Sequence, residues 1–186
     1  MSRIIVIAGD LASGKSTLAK NLSSHFKIPY FTKEGVKELL SEELQYQDRV
    51  ENKKLSNAAI DVLLHILERV TEVSGSAVLE ANFHKSELEK IKRECELHHS
   101  EVILLYLTGD IDVLYERFMY REYYQNRHPV HLTHPLQDID EFENYVNKWR
   151  AEEEVLPRHY IDVTNCDREI IFAKALEKLK ELGMTE

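Results

Sequence analysis

The chain is poor in the residues that build covalent scaffolds. Of its 186 residues two are cysteines, Cys95 and Cys166, far apart and in neither a C-x-x-C nor a Cys/His metal spacing. That excludes a disulfide framework and a thiolate zinc site, and it suits a reducing compartment. Four prolines and six glycines are too few for a linker, and no Pro/Gly/Ser-rich stretch divides the sequence, so one domain over residues 1–186 is expected. No apolar run approaches the roughly 20 residues that cross a bilayer. The opening MSRIIVIAGD is apolar for too few residues to be a signal h-region and has no small-residue cleavage site behind it. A cytoplasmic chain with no membrane contact is the expectation. Positive charge is also short: 24 Lys and Arg stand against 33 Asp and Glu, a formal net charge of -9. Such a surface repels nucleic acid and anionic lipid, so any anion must be held by a local site.

What is present is hydrophobic material, 43% of the chain, patterned as short β-rich runs alternating with longer helical stretches. Residues 4–8 are continuous Ile, Val and Ala and stop at Gly9, the pattern of a strand buried on both faces. Leu18, Ala19 and Leu22 follow at helical spacing. Residues 28–31 predict a second strand, followed by a helix carrying Val36, Leu39 and Leu40. An apolar face at Ala59, Val62, Leu63, Ile66, Leu67 and Val70 predicts a helix ended by Gly75, before a strand over 77–83. Ser86 with Glu89 has the spacing of a capping box. The strongest strand pattern covers 102–107, and helical spacing resumes at Val113, Leu114 and Phe118. From Tyr120 to Pro135 the pattern becomes polar, aromatic and basic, without core periodicity. Asp138 and Asp140 are candidate caps for a helix through Phe142, Tyr145 and Trp149; a strand over 160–163 and a helix over 168–182 complete the chain. This alternation predicts an α/β fold of three layers, a parallel sheet of about five strands with helices on both faces. Ligands bind such sheets at the carboxyl ends of the strands.

One segment there carries a readable chemistry. Gly9-Asp10-Leu11-Ala12-Ser13-Gly14-Lys15-Ser16 matches G-x-x-x-x-G-K-[ST] without substitution, and Thr17 follows it. The glycines let the backbone curl round an anion, its N–H groups point inward, and the following helix presents its positive end. Lys15 is expected to reach the β- and γ-phosphates of ATP, and the Ser16 hydroxyl to ligate Mg2+. The strand before the motif and the helix after it are the context that separates a P-loop from a chance match. Guanine-specific switch proteins also need N-K-x-D and D-x-x-G; Thr164-Asn165-Cys166-Asp167 lacks the lysine, and Leu79-Glu80-Ala81-Asn82 lacks the glycine.

Four pieces, the P-loop, Pro29-Tyr30-Phe31-Thr32-Lys33-Glu34-Gly35-Val36-Lys37, Leu79-Glu80-Ala81-Asn82-Phe83 and the basic stretch from Arg117 to His128, give the sequence a family likeness. It resembles the small P-loop kinases that include polynucleotide 5′-hydroxyl kinase, chloramphenicol phosphotransferase, gluconate kinase and the zeta toxins. The resemblance implies an ATP- and Mg2+-dependent phosphotransferase acting on a hydroxyl of a small molecule, with a helical lid at about 115–137. It implies an acid after the second strand to take the hydroxyl proton, here Glu34, with Lys37 standing where the polynucleotide kinase branch has arginine. Lysine lacks the bidentate fork of arginine, which together with the charge of -9 argues against nucleic acid as substrate. Glu80 stands where the group carries a second acid, either near Mg2+ or as the base; Glu34 reads equally as a first-turn acid favoured by a helix dipole. Asn82 follows as a candidate substrate contact or as a residue that turns the chain.

Arg117 and Arg121 are one helical turn apart, and Arg127 follows. Guanidinium groups carried by a closing segment would stabilise the charge of a transferring phosphoryl group, Arg121 first and Arg117 second. His128, His131 and His134 form H-x-x-H-x-x-H, but Pro129 and Pro135 interrupt helical spacing and no cysteine or carboxylate completes a tetrahedral set, so they read as loop positions or substrate contacts. Tyr115, Tyr120, Tyr123 and Tyr124 are candidates to stack on a ring or to pack. Two other readings stay open: a nucleotide-dependent sensor that hydrolyses ATP slowly, and a zeta-like kinase of an amino sugar.

Overall fold

The computed structural model describes residues 2–124, 128–131 and 138–184. The elements run β1 (Arg3–Gly9), α1 (Lys15–Phe26), β2 (Tyr30–Thr32), α2 (Lys33–Glu43), α3 (Arg49–Glu72), β3 (Ala77–Glu80), α4 (Lys85–Leu97), β4 (Glu101–Thr108), α5 (Ile111–Tyr124), α6 (Ile139–Arg150), β5 (Arg158–Asp162) and α7 (Arg168–Glu181). The five strands form one sheet in the order β2-β3-β1-β4-β5, and every pair is parallel. The α/β layering and the five-stranded parallel sheet expected from the alternation are what the chain adopts.

Strand β1 lies in the middle because both of its faces are apolar. Ile5 and Ile7 pack with Leu18 and Leu22 of α1, Leu114 and Phe118 of α5, Phe142 and Val146 of α6, and Ile171 and Ala175 of α7. Ile4, Val6 and Ala8 point the other way, onto Ile60, Leu63 and Leu67 of α3 and Leu88, Ile91 and Cys95 of α4. Strand alternation thus assigns each helix to one of two layers.

Several element ends differ from expectation, each for a local reason. The strand expected over 77–83 stops at Glu80. Beyond it the Asn82 side-chain carbonyl accepts the Gly9 N–H at 3.0 Å, so a side chain replaces the ladder. Helix α4 begins one residue before Ser86; Glu87, not Glu89, reaches back to accept the His84 N–H at 2.7 Å. Helix α3 starts at Arg49, ten residues before its apolar face, because Asp48 accepts the Glu51 N–H at 2.9 Å. On α2 the apolar pattern misleads: Leu39 is 66% exposed and Lys37 is the buried residue. Helix α5 runs through the aromatic stretch to Tyr124, and Tyr120, Tyr123 and Tyr124 stand exposed, whereas Tyr115 packs against Phe142.

Candidate active site

The carboxyl ends of β1, β3 and β4 meet where the loop 9–14 turns into α1. Gly9 has φ 136° and an added Cβ would lie 2.1 Å from the Leu107 carbonyl oxygen, so strand β4 itself dictates glycine there. Gly14, at φ 91°, caps α1 in the left-handed region, and it is exposed along with Ser16. The helix therefore opens its N-terminus outward with no acidic residue in its first turn, the electrostatics an anion requires.

The two reactive side chains of the motif face a buried carboxylate. Ser16 Oγ donates to Glu80 Oε2 at 3.0 Å, and Glu80 is 3% exposed. Lys15 Nζ folds inward and donates to the carbonyls of Gly9 at 3.1 Å and Asp10 at 2.7 Å. Burial pushes the Glu80 carboxyl above its ordinary range, restrained by the Lys15 charge and the Ser16 hydrogen bond. Burial likewise depresses the Lys15 amine; Glu80 opposes that shift and the Arg121 guanidinium adds to it. Burial thus works against the charged form of both groups, and a bound polyphosphate with its cation would work the other way. A hydroxyl and a carboxylate 3.0 Å apart are also a fitting donor set for Mg2+, which takes oxygen ligands, one or two carboxylates and the substrate's phosphates.

Asp10 serves this loop as a brace. Its N–H goes to the Leu107 carbonyl at 2.8 Å, and its fully buried carboxylate accepts the Gly109 N–H at 3.1 Å. Arg150, the last residue of α6, grips the same carboxylate through Nε at 3.2 Å and Nη2 at 2.6 Å and donates to the Gly109 carbonyl at 2.6 Å. Expected to line the anion, Asp10 is instead committed to the scaffold behind it. Arg150 went unread in the sequence: the motif leaves its second position open, and nothing local says which basic residue answers a carboxylate there. The available signal was physical, since a charge buried after a central strand requires a partner.

The remaining candidates separate. The Nε and Nη2 atoms of Arg121 are buried, its guanidinium lies 5.6 Å from the Phe118 ring centroid, and its charge is felt at Lys15. Arg117, one turn earlier, reaches the other way, donating to the carbonyls of Thr164 at 3.3 Å and Cys166 at 3.0 Å in the loop after β5. In this structure those carbonyls hold it at the loop after β5. Asn82, expected to contact substrate, accepts the Gly9 N–H through its side-chain carbonyl. Lys37, expected to contact substrate, is buried and donates to Asn52 Oδ1 at 2.7 Å.

Glu34 sits on the first turn of α2, half-exposed, with an Oε2 oxygen 2.6 Å from His131 Nδ1; its charge acts on both Lys15 and Glu80. Arg127 and His134 lie outside the described residues. Among the described residues no cluster of three or more His, Cys, Asp or Glu is arranged to hold a metal. No described helix is long and apolar enough to cross a membrane.

No protein-family model matches the chain, and no curated protein matches it. Solved structures do. A "putative kinase" from Chloroflexus aurantiacus superposes with a TM-score of 0.79 at 22% identity, over 95% of this chain and 98% of that one. A gluconokinase from Sinorhizobium meliloti gives 0.61 at 17%, covering 96% and 91%, and the shikimate kinase of Aquifex aeolicus gives 0.60 at 16%, covering 98% and 99%. These neighbours are kinases of the P-loop type, and the fold of this chain is theirs.

Proposed function

We propose that the protein is an ATP-dependent phosphotransferase that moves the γ-phosphoryl group onto a hydroxyl of a small molecule in the cytoplasm. The observation that carries this reading is the convergence of Lys15, Ser16 and the buried Glu80 at the outward-facing start of α1. The likeness to structures named for gluconate and shikimate phosphorylation supports a small hydroxylated acceptor.

In this reading the loop amides and the helix start bind the phosphates, and Lys15 exchanges its two carbonyl partners for phosphate oxygens. Mg2+, when bound through Ser16 and Glu80, supplies positive charge to the transferring group. Glu80 is engaged by Ser16 and screened from water, which leaves Glu34, the more open acid, to accept the hydroxyl proton. Arg121 brings a guanidinium to the charge developing on the equatorial oxygens, as the leading residue of a lid over about 115–137. Arg117 stays bound to the loop 164–166.

The test is a screen of D-gluconate, shikimate, nucleosides and amino sugars for acceptor-dependent ATP consumption, with Lys15→Ala as the blank. The expected result is turnover with one class and a fall of about 100-fold or more in kcat/KM for Lys15→Ala. Consumption that survives Lys15→Ala, or a parent protein that does not bind Mg-ATP, would overturn the reading.

A further inference from the structure

Beyond the phosphate cradle, one histidine ring lies between two carboxylates. The His131 side chain is 6% exposed, with Nδ1 2.6 Å from Glu34 Oε2 and Nε2 2.6 Å from Glu38 Oε1. An imidazole that meets carboxylate oxygens at both nitrogens has to donate from both, and the imidazolium is the form with two N–H groups. Glu34 and Glu38 are one turn apart on α2, an arrangement that disfavours the helix unless a cation lies between them.

A second, uncharged pin secures the same segment. The Val130 side chain is fully buried, and its carbonyl accepts Asn52 Nδ2 at 2.8 Å; Asn52 Oδ1 in turn accepts Lys37 Nζ at 2.7 Å. Two consecutive residues therefore bind α2 and α3 by different means, one through the backbone and one through charge. Among the described residues, Glu34 and Glu38 from α2 face the ring, and His128 from its own segment lies with its ring centroid 6.2 Å away. Lys37 of α2 lies behind and is committed to Asn52, the neutral contribution of α3.

We propose that His131, as the imidazolium, is a positioning residue that holds Glu34 and docks residues 128–131 onto α2, so that the acceptor side of the site closes as a unit. The role of Glu34 rests on the phosphotransferase reading; the clamp itself does not. The contact of Glu34 Oε2 with His131 fixes the Glu34 carboxylate at the start of α2. Loss of the ring proton leaves one of the two carboxylates facing a lone pair and frees α2 from the segment.

The experiment uses full-length protein labelled with 15N in its histidine rings, the His131 signals assigned by their loss in His131→Gln. Both ring nitrogens are expected to be protonated at pH 7. His131→Gln should raise amide exchange across α2 by about tenfold, leave the Kd for Mg-ATP within about twofold of the parent, and be rescued in exchange by His131→Lys, which keeps a cation there. Protection of α2 should fall in the parent as the ring loses its proton and should not fall over that pH range in His131→Lys. A neutral ring at pH 7, or parent-like protection in His131→Gln, would overturn the clamp, and the ring measurement decides even where the glutamine variant folds poorly. Because the ring is read without nucleotide or acceptor, a neutral ring in an active kinase refutes the clamp alone. A protonated ring in a protein that phosphorylates nothing refutes the phosphotransferase reading alone.

Discussion

In the proposed phosphotransferase, the phosphate side and the acceptor side of the site are held by different physics. On the phosphate side the chain is fixed by backbone geometry and buried charge: Gly9 against the Leu107 carbonyl, and Asp10 gripped by Arg150 beneath the loop. On the proposed acceptor side the ties run through side chains on α2 and α3, with His131 between two half-exposed glutamates and Asn52 joining Lys37 to the Val130 carbonyl. A triphosphate presents the same geometry in every kinase, so its cradle can be rigid. An acceptor differs from enzyme to enzyme, and side-chain ties can be exchanged without disturbing the sheet.

The most direct way to break the comparison is Gly9→Ala. A Cβ 2.1 Å from a strand carbonyl, at φ 136°, demands movement of β1 against β4, with overpacking and backbone strain adding to about 4 kcal/mol. Urea unfolding should show that loss, and Mg-ATP binding should vanish with it. A Gly9→Ala protein as stable as the parent would mean that the loop is not fixed by β4.

Arg150→Met comes next. It leaves the Asp10 carboxylate buried without its guanidinium, at a cost of about 3 kcal/mol. The double variant Asp10→Asn with Arg150→Met should lose less than the two single losses combined, because the penalty belongs to the stranded charge. Additive losses would show the pair to be incidental.

The acceptor side should yield more easily. Asn52→Ala removes one link from each of Lys37 and Val130, and about 2 kcal/mol is the expected loss for two buried hydrogen bonds. Mg-ATP affinity should stay near the parent value, unlike the outcome at Gly9. Equal damage to nucleotide binding at both positions would mean that the two sides are one rigid body.

This division also explains what could be read from the chain before its structure. The phosphate side was legible because a continuous apolar strand, a spaced glycine pair and a lysine each constrain the backbone locally. The centre of the sheet was legible for the same reason: β1, β3 and β4 are mainly apolar runs, though β3 ended early where Asn82 took over the ladder. Side-chain ties were not legible, since Arg150 is 140 residues from Asp10 and His131 is 93 from Glu38. Lys37 was the sharpest case: the family likeness offers it as a substrate contact, and its burial on α2 depends on an asparagine of another helix. Arg121 and Arg117, ranked first and second at one turn apart, are separated by the carbonyls of the loop after β5, which hold Arg117.

The smallest effect, and the one that sharpens the comparison most, is the pH response of Glu80. Burial raises its pKa, so the folded state holds a proton that the unfolded state releases at ordinary glutamate values. Its stabilising contribution is therefore fully present below that ordinary range and is lost as pH rises through the raised value. Over that window the parent should lose stability relative to Glu80→Gln, read as a widening Tm difference. Mg-ATP binding should run the opposite way, since the cation needs the carboxylate: affinity should weaken as pH falls through the raised value, and Glu80→Gln should bind about tenfold more weakly with that dependence removed. Crossing trends in stability and affinity would mark Glu80 as a residue kept for the ligand at the expense of the empty fold. Trends of the same sign would place the carboxylate among the structural charges, with Asp10.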